Sequence, residues 1–494
     1  MTRRSATELL DLVLDEGSFT SWDTPPVDVH PGPAYAAELA AARASSGVDE
    51  SVLTGRGLVH GRPVAVVVCE FAFLAGSIGV AAAERLVCAV ERATAERLPL
   101  LAAPVSGGTR MQEGTLAFLQ MVKIAAAITT HKAARLPYLV YLRHPTTGGV
   151  FASWGSLGHV TVAEPGALVG FLGPRVYQAL YDAPFPEGVQ TAENLHAHGL
   201  LDAVLPPEDL SEIVDRVLRV ITAPRTGAPT TTPEPRPTDD VPAWTSVLAS
   251  RRADRPGVRA LLRLGATDVV PLNGTGQGER DPGLLLALAR VGGAPCVVLG
   301  QDRRGQTTDH PMGPAALREA RRGMRLATEL ALPLLTVIDT AGAALSREAE
   351  EGGLAGEIAR CLAELVTLPT PTVSLLLGQG AGGGALALVP ADRVLAAQHG
   401  WLAPLPPEGA SAIVHRDTAH AAEMAAVHGV RSVDLLAAGI VDEVIAEHPD
   451  GADEPTAFCT RVAAAVASAL DELGAHDPQD LLVRRLARYR RLGT

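Results

Sequence analysis

Pro137-Tyr138-Leu139-Val140-Tyr141-Leu142, closed by Pro145-Thr146-Thr147-Gly148-Gly149-Val150, is answered 234 residues later by Pro371-Thr372-Val373-Ser374-Leu375-Leu376-Leu377, which runs into Gly382-Gly383-Gly384. Each is a short apolar run ended by glycines, which predicts a buried strand leading into a tight turn. A second pair lies upstream: Pro99-Leu100-Leu101-Ala102-Ala103 into Ser106-Gly107-Gly108, and Pro333-Leu334-Leu335-Thr336-Val337-Ile338 into Thr340-Ala341-Gly342. Prolines and glycines keep offsets of 234 to 235, and Gly199-Leu200-Leu201-Asp202-Ala203-Val204 matches Gly439-Ile440-Val441-Asp442-Glu443-Val444 at an offset of 240. A register held over that length marks an internal duplication.

Between the strands, Ala81 to Arg97, Ala315 to Leu330 and Gly353 to Leu365 repeat apolar residues at three and four positions, as helices do. Strand, glycine turn and helix alternate, so each half is an α/β domain with largely parallel strands whose ligand sites lie at the strand carboxyl ends. From Ile221 to Pro242 six prolines mix with threonines and no apolar period survives. This stretch predicts a linker at 223–243 between an N-terminal domain, 1–222, and a C-terminal domain, 244–494.

Composition narrows the function. The chain has 494 residues, 47% of them hydrophobic, and a net charge of −13. Two globular domains fit that length, and the negative balance, with Lys123 and Lys132 the only lysines, disfavours a nucleic-acid partner. Aromatic residues make up 4%, too few for base-stacking platforms. Five scattered cysteines without a CxxC pair argue against zinc, and they favour a reducing compartment. No apolar signal core follows Met1, so the expected location is cytoplasmic. Leu365 to Ala391 is uncharged and long enough to span a bilayer, but prolines and glycines break it, predicting a buried strand, turn and helix instead.

Single motifs mislead here. A glycine pair alone is usually a turn where no β-carbon fits. Paired across a duplication, Gly148 and Gly149 before Val150 to Ser153, and Gly383 and Gly384 before Ala385 to Leu388, place backbone NH groups where a helix begins and an anionic oxygen is favoured. Gly378, Gly380 and Gly383 spell GxGxxG, yet no acidic residue follows at the distance a dinucleotide site needs: Asp392 and Glu408 come too early, in a proline-rich loop. Neither lysine follows a glycine, which excludes a phosphate loop, and Gly155-Ser156-Leu157-Gly158 lacks the leading glycine of a nucleophile elbow. His131, His144 and His310 read as loop or surface residues, and the run Arg484 to Arg491 as a solvated last helix that could also meet an anion.

Taken together, Ser106-Gly107-Gly108-Thr109-Arg110-Met111-Gln112-Glu113-Gly114, Pro145 to Val150 and Ala163-Glu164-Pro165-Gly166-Ala167-Leu168-Val169-Gly170-Phe171 resemble the β subunit of the acetyl-CoA carboxylase carboxyltransferase family. Ile338 to Gly342, Gly378 to Ala385 and Pro407-Glu408-Gly409-Ala410-Ser411 resemble its α subunit more loosely, as if the two were fused. The resemblance implies two crotonase-like domains of repeated ββα units, the first binding acyl-CoA and the second carboxybiotin on a separate carrier protein. It implies carboxyl transfer to acetyl-CoA, giving malonyl-CoA for fatty acid synthesis. By position it assigns Gly148 and Gly149 to the thioester enolate, and Gly383 and Gly384 to the ureido oxygen of biotin. Gly107, Gly108, Thr109, Thr147, Gly342, Gly382, Glu408 and Gly409 become substrate-binding residues. In that scheme the ureido group takes the α-proton, which accounts for the missing side-chain base.

The same resemblance implies a biotin carboxyl carrier protein and biotin carboxylase as partners, and a homodimer or larger homo-oligomer with intersubunit active sites. The zinc ribbon of many β subunits is missing, so no metal is expected. Ala341 stands where the family usually has proline, and Gln379 and Ala381 where Glu and Gly are common. Two other functions fit the strings: a biotin-independent malonate decarboxylase acting on a carrier-bound malonyl thioester, and a non-catalytic thioester-binding subunit.

Overall fold

The computed structural model describes residues 3–222, 241–307 and 309–493. Nearly all of the expected linker, 223–240, lies outside the described residues. The chain forms two compact units, Met1–Arg219 with Gly276–Gly278, and Val220–Thr275 with Glu279–Thr494.

The first unit holds β1 (Thr20–Ser21), β2 (Val52–Val59), β3 (Arg62–Cys69), β4 (Leu100–Ala103), β5 (Tyr138–Leu142), β6 (Thr146–Thr147), β7 (Val160–Ala163), β8 (Val169–Gly170) and β9 (Ala203–Val204). Seven of them form a sheet in the order β1-β2-β3-β4-β5-β7-β9, and β6 pairs with β8. The second unit holds β10 (Ala266–Leu272), β11 (Leu284–Val291), β12 (Ala294–Gln301), β13 (Leu334–Thr340), β14 (Thr372–Gly380), β15 (Arg393–Ala397) and β16 (Glu443–Ile445), joined in sequence order. In each sheet the first pairings are antiparallel and the rest parallel.

The duplication extends to register. Leu100 pairs with Tyr138 as Leu334 pairs with Thr372, and the antiparallel couple Val52 and Cys69 recurs as Leu284 and Gln301. The central strands are apolar throughout: β5 and β13 are buried at every position, as sheets covered on both faces require.

Helix α1 (Val80–Ala95) and helix α2 (Gly114–Ala133) pack on the first sheet, and α3 (Pro314–Leu330) and α4 (Leu354–Val366) occupy the same places in the second unit. Both α1 and α3 start after a glycine beside a carboxylate that accepts the first free NH groups. Glu113 Oε2 takes Val80 N at 2.6 Å, and Asp281 Oδ2 takes Gly313 N at 2.8 Å. A β-carbon on Gly79 would sit 2.3 Å from Glu113 Oε1, which explains glycine there. The uncharged stretch resolves as β14, a turn and a short helix, α5 (Gly382–Leu386), and among the described residues no helix is long and apolar enough to cross a membrane.

Three expectations need correction. His131 is no surface residue: it is wholly buried on α2, its ring nitrogens 2.9 Å from the Thr94 hydroxyl and 3.3 Å from the Pro137 carbonyl oxygen. Glu408 lies in the first turn of a helix (Pro407–Val414), because Pro407 suits a first helical position and leaves no NH to satisfy. The C-terminal arginine run is not simply solvated. Arg485 is buried, bound to Asp392 and to the carbonyls of Leu365, Leu368 and Thr370.

Burial lowers the His131 pKa to about 4, whereas an exposed imidazole titrates near ~6.5. Between those values the unfolded chain holds a proton that the folded chain refuses, so stability present above pH ~6.5 is lost as the pH falls towards ~4. Replacing His131→Gln is expected to remove about 2 to 3 kcal/mol of that acid dependence. Urea unfolding midpoints of the first unit between pH 7 and 4.5 check it, and parallel curves for both proteins would refute it.

Candidate functional site

In each unit two adjacent parallel strands end in glycine loops that meet. Beyond β4, the Ser106 hydroxyl accepts Gly108 N at 3.0 Å; beyond β13, the Thr340 hydroxyl accepts Gly342 N at 3.1 Å. Both turns need a left-handed glycine, with φ of 110° at Gly108 and 133° at Gly342. The next strand's loop is stitched to this turn, Thr147 N donating to Ser106 O at 3.0 Å and Ala381 N to Thr340 O at 3.2 Å.

The glycine that follows is pinned. Gly148 N donates to Phe171 O at 3.0 Å and Gly170 O at 3.2 Å, and Gly382 N to Ala403 O at 2.9 Å, with φ of 66° and 65°. The β6–β8 pairing brings Gly170 and Phe171 to that position, which gives the string Ala163 to Phe171 its local role: it anchors the loop from the side. After each pinned glycine the amides have no acceptor among the described residues: Gly149 and Val150 in the first unit, Gly383 and Gly384 in the second. They open a helical turn, which in the first unit is closed by Ala152 N on Gly148 O and in the second, one residue further along, by Ala387 N on Gly383 O, both at 3.0 Å. Unpaired NH groups at a helix start can hold an oxyanion.

Structural equivalence therefore runs at 234 residues: Gly148 matches Gly382, Gly149 matches Gly383 and Val150 matches Gly384. This corrects the expected pairing of Gly148 and Gly149 with Gly383 and Gly384. The Gly148 amide serves the fold, and Val150, whose side chain is buried, supplies the second free NH.

The other expected residues divide in two. Gly107 N donates to Ala75 O at 2.9 Å, Thr147 is bound to Ser106 through both amide and hydroxyl, and Gly409 N donates to Pro406 O at 2.8 Å, so these shape the loops. Thr109 N meets no acceptor among the described residues, and its hydroxyl would lie 3.1 Å from a β-carbon on Gly149, so it faces the free amides. Glu408 is held by both outer nitrogens of Arg251, whose hydrogen bonds keep its carboxyl below the usual range. Arg251 Nε donates to Gln379 Oε1 at 3.2 Å, so the neutral Gln379 shares the guanidinium without adding a second carboxylate.

Sequence reasoning missed the supports. Arg110 is buried and reaches Glu50 with two nitrogens, Ser51 Oγ at 3.1 Å, the Ser77 carbonyl at 2.8 Å and Tyr35 Oη at 3.3 Å, clamping the 106–114 loop to the start of β2. In the second unit Gln301 does comparable work with a neutral side chain: its Nε2 donates to Gly384 O at 2.7 Å and its Oε1 accepts Asp339 N at 3.1 Å. Asp339 Oδ1 accepts Gln379 N at 3.1 Å, and burial pushes its carboxyl up. A lone arginine or glutamine beside a glycine loop carries no pattern that would announce these roles.

Among the described residues no three His, Cys, Asp or Glu side chains gather as a metal site would require. Replacing Arg110→Met strands Glu50 in the interior and is expected to cost about 3 to 5 kcal/mol, while adding Glu50→Leu recovers most of it. Urea denaturation of the single and double variants tests this, with amide exchange over 106–114 as a second readout. A double variant no more stable than the single one would show that Arg110 acts otherwise.

Comparisons with known proteins match the chain over its length. The carboxyl transferase domain model matches residues 3–478. A probable biotin-dependent acyl-coenzyme A carboxylase beta3 subunit of Mycobacterium tuberculosis (strain ATCC 25618 / H37Rv) is 67% identical over 494 residues, covering 100% of this chain and 99% of its own. The acetyl-coenzyme A carboxylase carboxyl transferase subunits beta/alpha of Parafrankia sp. (strain EAN1pec) are 38% identical over 534 residues, covering 100% of this chain and 86% of theirs. Among solved structures, transcarboxylase 12S, a hexamer with methylmalonyl-coenzyme A and methylmalonic acid bound, aligns over 96% of this chain and 90% of its own at a TM-score of 0.72 and 21% identity. A single-chain, multi-domain long-chain acyl-CoA carboxylase aligns over 95% of this chain and 46% of its own at a TM-score of 0.71 and 18% identity. These likenesses show the fold, the crotonase-like α/β architecture expected from the strings. With its two sheets in one register and its whole length matched, the chain belongs to the carboxyl transferase domain family and is a carboxyltransferase.

Proposed function

We propose that this chain is the carboxyltransferase component of a biotin-dependent acyl-CoA carboxylase, moving a carboxyl group from carboxybiotin on a carrier protein to acetyl-CoA to give malonyl-CoA. The observation that carries the reading is the pair of unpartnered amides at the same place in both units, because carboxyl transfer develops two oxyanions, one on each substrate. In the first unit, Gly149 and Val150 would receive the thioester oxygen as the enolate forms, with Thr109 alongside. In the second, Gly383 and Gly384 would receive the ureido oxygen.

The second loop suits a biotin ring in one testable respect. A β-carbon on Gly383 would sit 2.7 Å from Ile358 Cδ1, and one on Gly384 2.6 Å from Met312 Cε, so its backbone is seated on apolar side chains with the NH groups left over. Bound there, the carrier's biotin supplies the carboxyl group to be transferred; the chain positions its oxygen. Preorganised NH donors are each worth about 3 kcal/mol in a transition state. The holes stabilise charge only; the α-proton lost by the acyl group would pass to the ureido group left when its carboxyl departs, so no side-chain base is needed.

The assignment keeps the N-terminal half, 1–222, for the acyl-CoA, the C-terminal half, 244–494, for the carrier, and a biotin carboxylase as the enzyme that charges it. It places the protein in the cytoplasm as a homo-oligomer in which one copy's first half completes the site with another copy's second half. Supporting that assembly, α2 presses Met121 against Gly149 from inside while Leu116, Phe118, Leu119 and Val122 stand exposed outside, an apolar face of the kind partners cover.

Purified protein given malonyl-CoA with free biotin or biotinylated carrier is expected to release acetyl-CoA only when biotin is present. Biotin-independent release of carbon dioxide would replace the reading with a malonate decarboxylase, and thioester binding without turnover with any carrier would leave a non-catalytic subunit. The nearest neighbours of a β-carbon would be Thr109 Oγ1 and Met121 in Gly149→Val, and the end methyl of Met312 and Ala343 in Gly384→Val. Each is expected to lower turnover by about 10²- to 10³-fold with the unfolding midpoint little changed. Unaltered rates in both would defeat the assignment of the amides.

A further inference from the structure

The C-terminal arginine run closes one side of a cavity of about 340 Å³ in the second unit, lined by Arg393, Arg484, Arg485, Arg488 and Arg491 together with Asp392, Asp442, Glu472 and His476. Each carboxylate already has a guanidinium: Arg485 holds Asp392 at 2.6 Å, Arg488 holds Asp442 at 2.6 Å, and Arg393 holds Glu472 at 3.1 Å. The lining therefore has more guanidinium than carboxylate charge, in a chain whose overall balance is −13. Two donors are left over. The Arg484 side chain makes no hydrogen bond or ion pair with any described residue, and Arg393 Nε is buried without an acceptor.

Unspent guanidinium donors around a space of this size match the chemistry of a phosphate group, whose oxygens accept forked N–H pairs. The volume exceeds what phosphate alone fills and falls at the small end of organic-ligand sites. We propose that this cavity binds a small phosphate-bearing anion, with Arg484 as its exposed contact and the paired arginines as its walls.

The cavity lies away from the glycine loops. Arg393 is the first residue of β15, and Asp442 immediately precedes β16; both strands run parallel to β14, so the anion would bind at the amino edge of the sheet whose carboxyl edge carries the glycine loops. The nine residues of β14 separate the two edges, a span of roughly 25 Å at ~3.3 Å per residue. The ligand and the carrier's biotin therefore do not compete. The bound anion would instead brace the last helix, Pro478–Arg490, against the sheet through Arg485 and Arg488.

Calorimetric titration of the full chain with inorganic phosphate and with glycerol 3-phosphate, at ionic strength fixed with chloride, tests this. One saturable site per chain is expected, weakened at least tenfold by Arg484→Gln and unchanged by Arg347→Gln, an exposed arginine elsewhere. Tighter binding of the ester than of phosphate identifies a phosphorylated metabolite; the reverse identifies the free ion. Non-saturable heats for both probes, or an affinity that Arg484→Gln leaves intact, would overturn the proposal.

Discussion

Everything at this site depends on one hydrogen bond made twice. Gly148 and Gly382 each give their amide to a neighbouring carbonyl, and that bond requires a left-handed φ near 65° that only glycine adopts at no steric cost. Once the chain is turned there, the amides that follow open a helix with no carbonyl behind them, so they stay free. The unpaired donors are the geometric remainder of a fully bonded loop.

The two copies of that loop share a backbone but not a support. In the first unit Arg110 is tied to Glu50 inside the protein, a charged clamp whose removal leaves a bare carboxylate. In the second, neutral Gln301 bridges Gly384 and Asp339, while the charged pair Arg251 and Glu408 sits farther out and half exposed. Cys69 stands in the first sheet where Gln301 stands in the second, opposite Val52 as Gln301 is opposite Leu284. Duplication preserved the donors and let the side chains beneath them diverge, as expected if the constraint falls on main-chain direction.

This explains what the sequence could and could not reveal. Strand boundaries, the repeat and the glycine loops follow from local rules: apolar runs, prolines before strands, glycines where φ turns positive. The pairing of Gly148 with Gly382 did not, because a run of three glycines aligns with a run of two in more than one way, and only the carbonyl each amide meets decides between them. Arg110, Gln301 and His131 were illegible for a related reason. Their meaning lies in partners 37 to 83 residues away, such as Thr94, Glu50 and Gly384, brought near by the sheet. The Glu408 position was misread because two prolines suggested a loop where one of them starts a helix.

Main-chain donors also constrain how such a site can be adjusted. A backbone NH does not titrate, so its strength cannot be tuned by shifting a pKa as an acid or base is tuned. What remains adjustable is position, and position is set by the groups behind the loop: Glu408 kept charged by Arg251, Asp339 pressed by burial towards its neutral form, Arg110 locked on Glu50. Any dependence on pH would enter through these supports and appear as a change in loop order. Of the residues that depart from the family the chain resembles, Gln379 and Ala381 fall among the supports of the second loop and Ala341 stands exposed in the turn beside it, while the free amides at Gly383 and Gly384 are intact. Departures from the family pattern there alter how firmly the donors are held, and leave the donors in place.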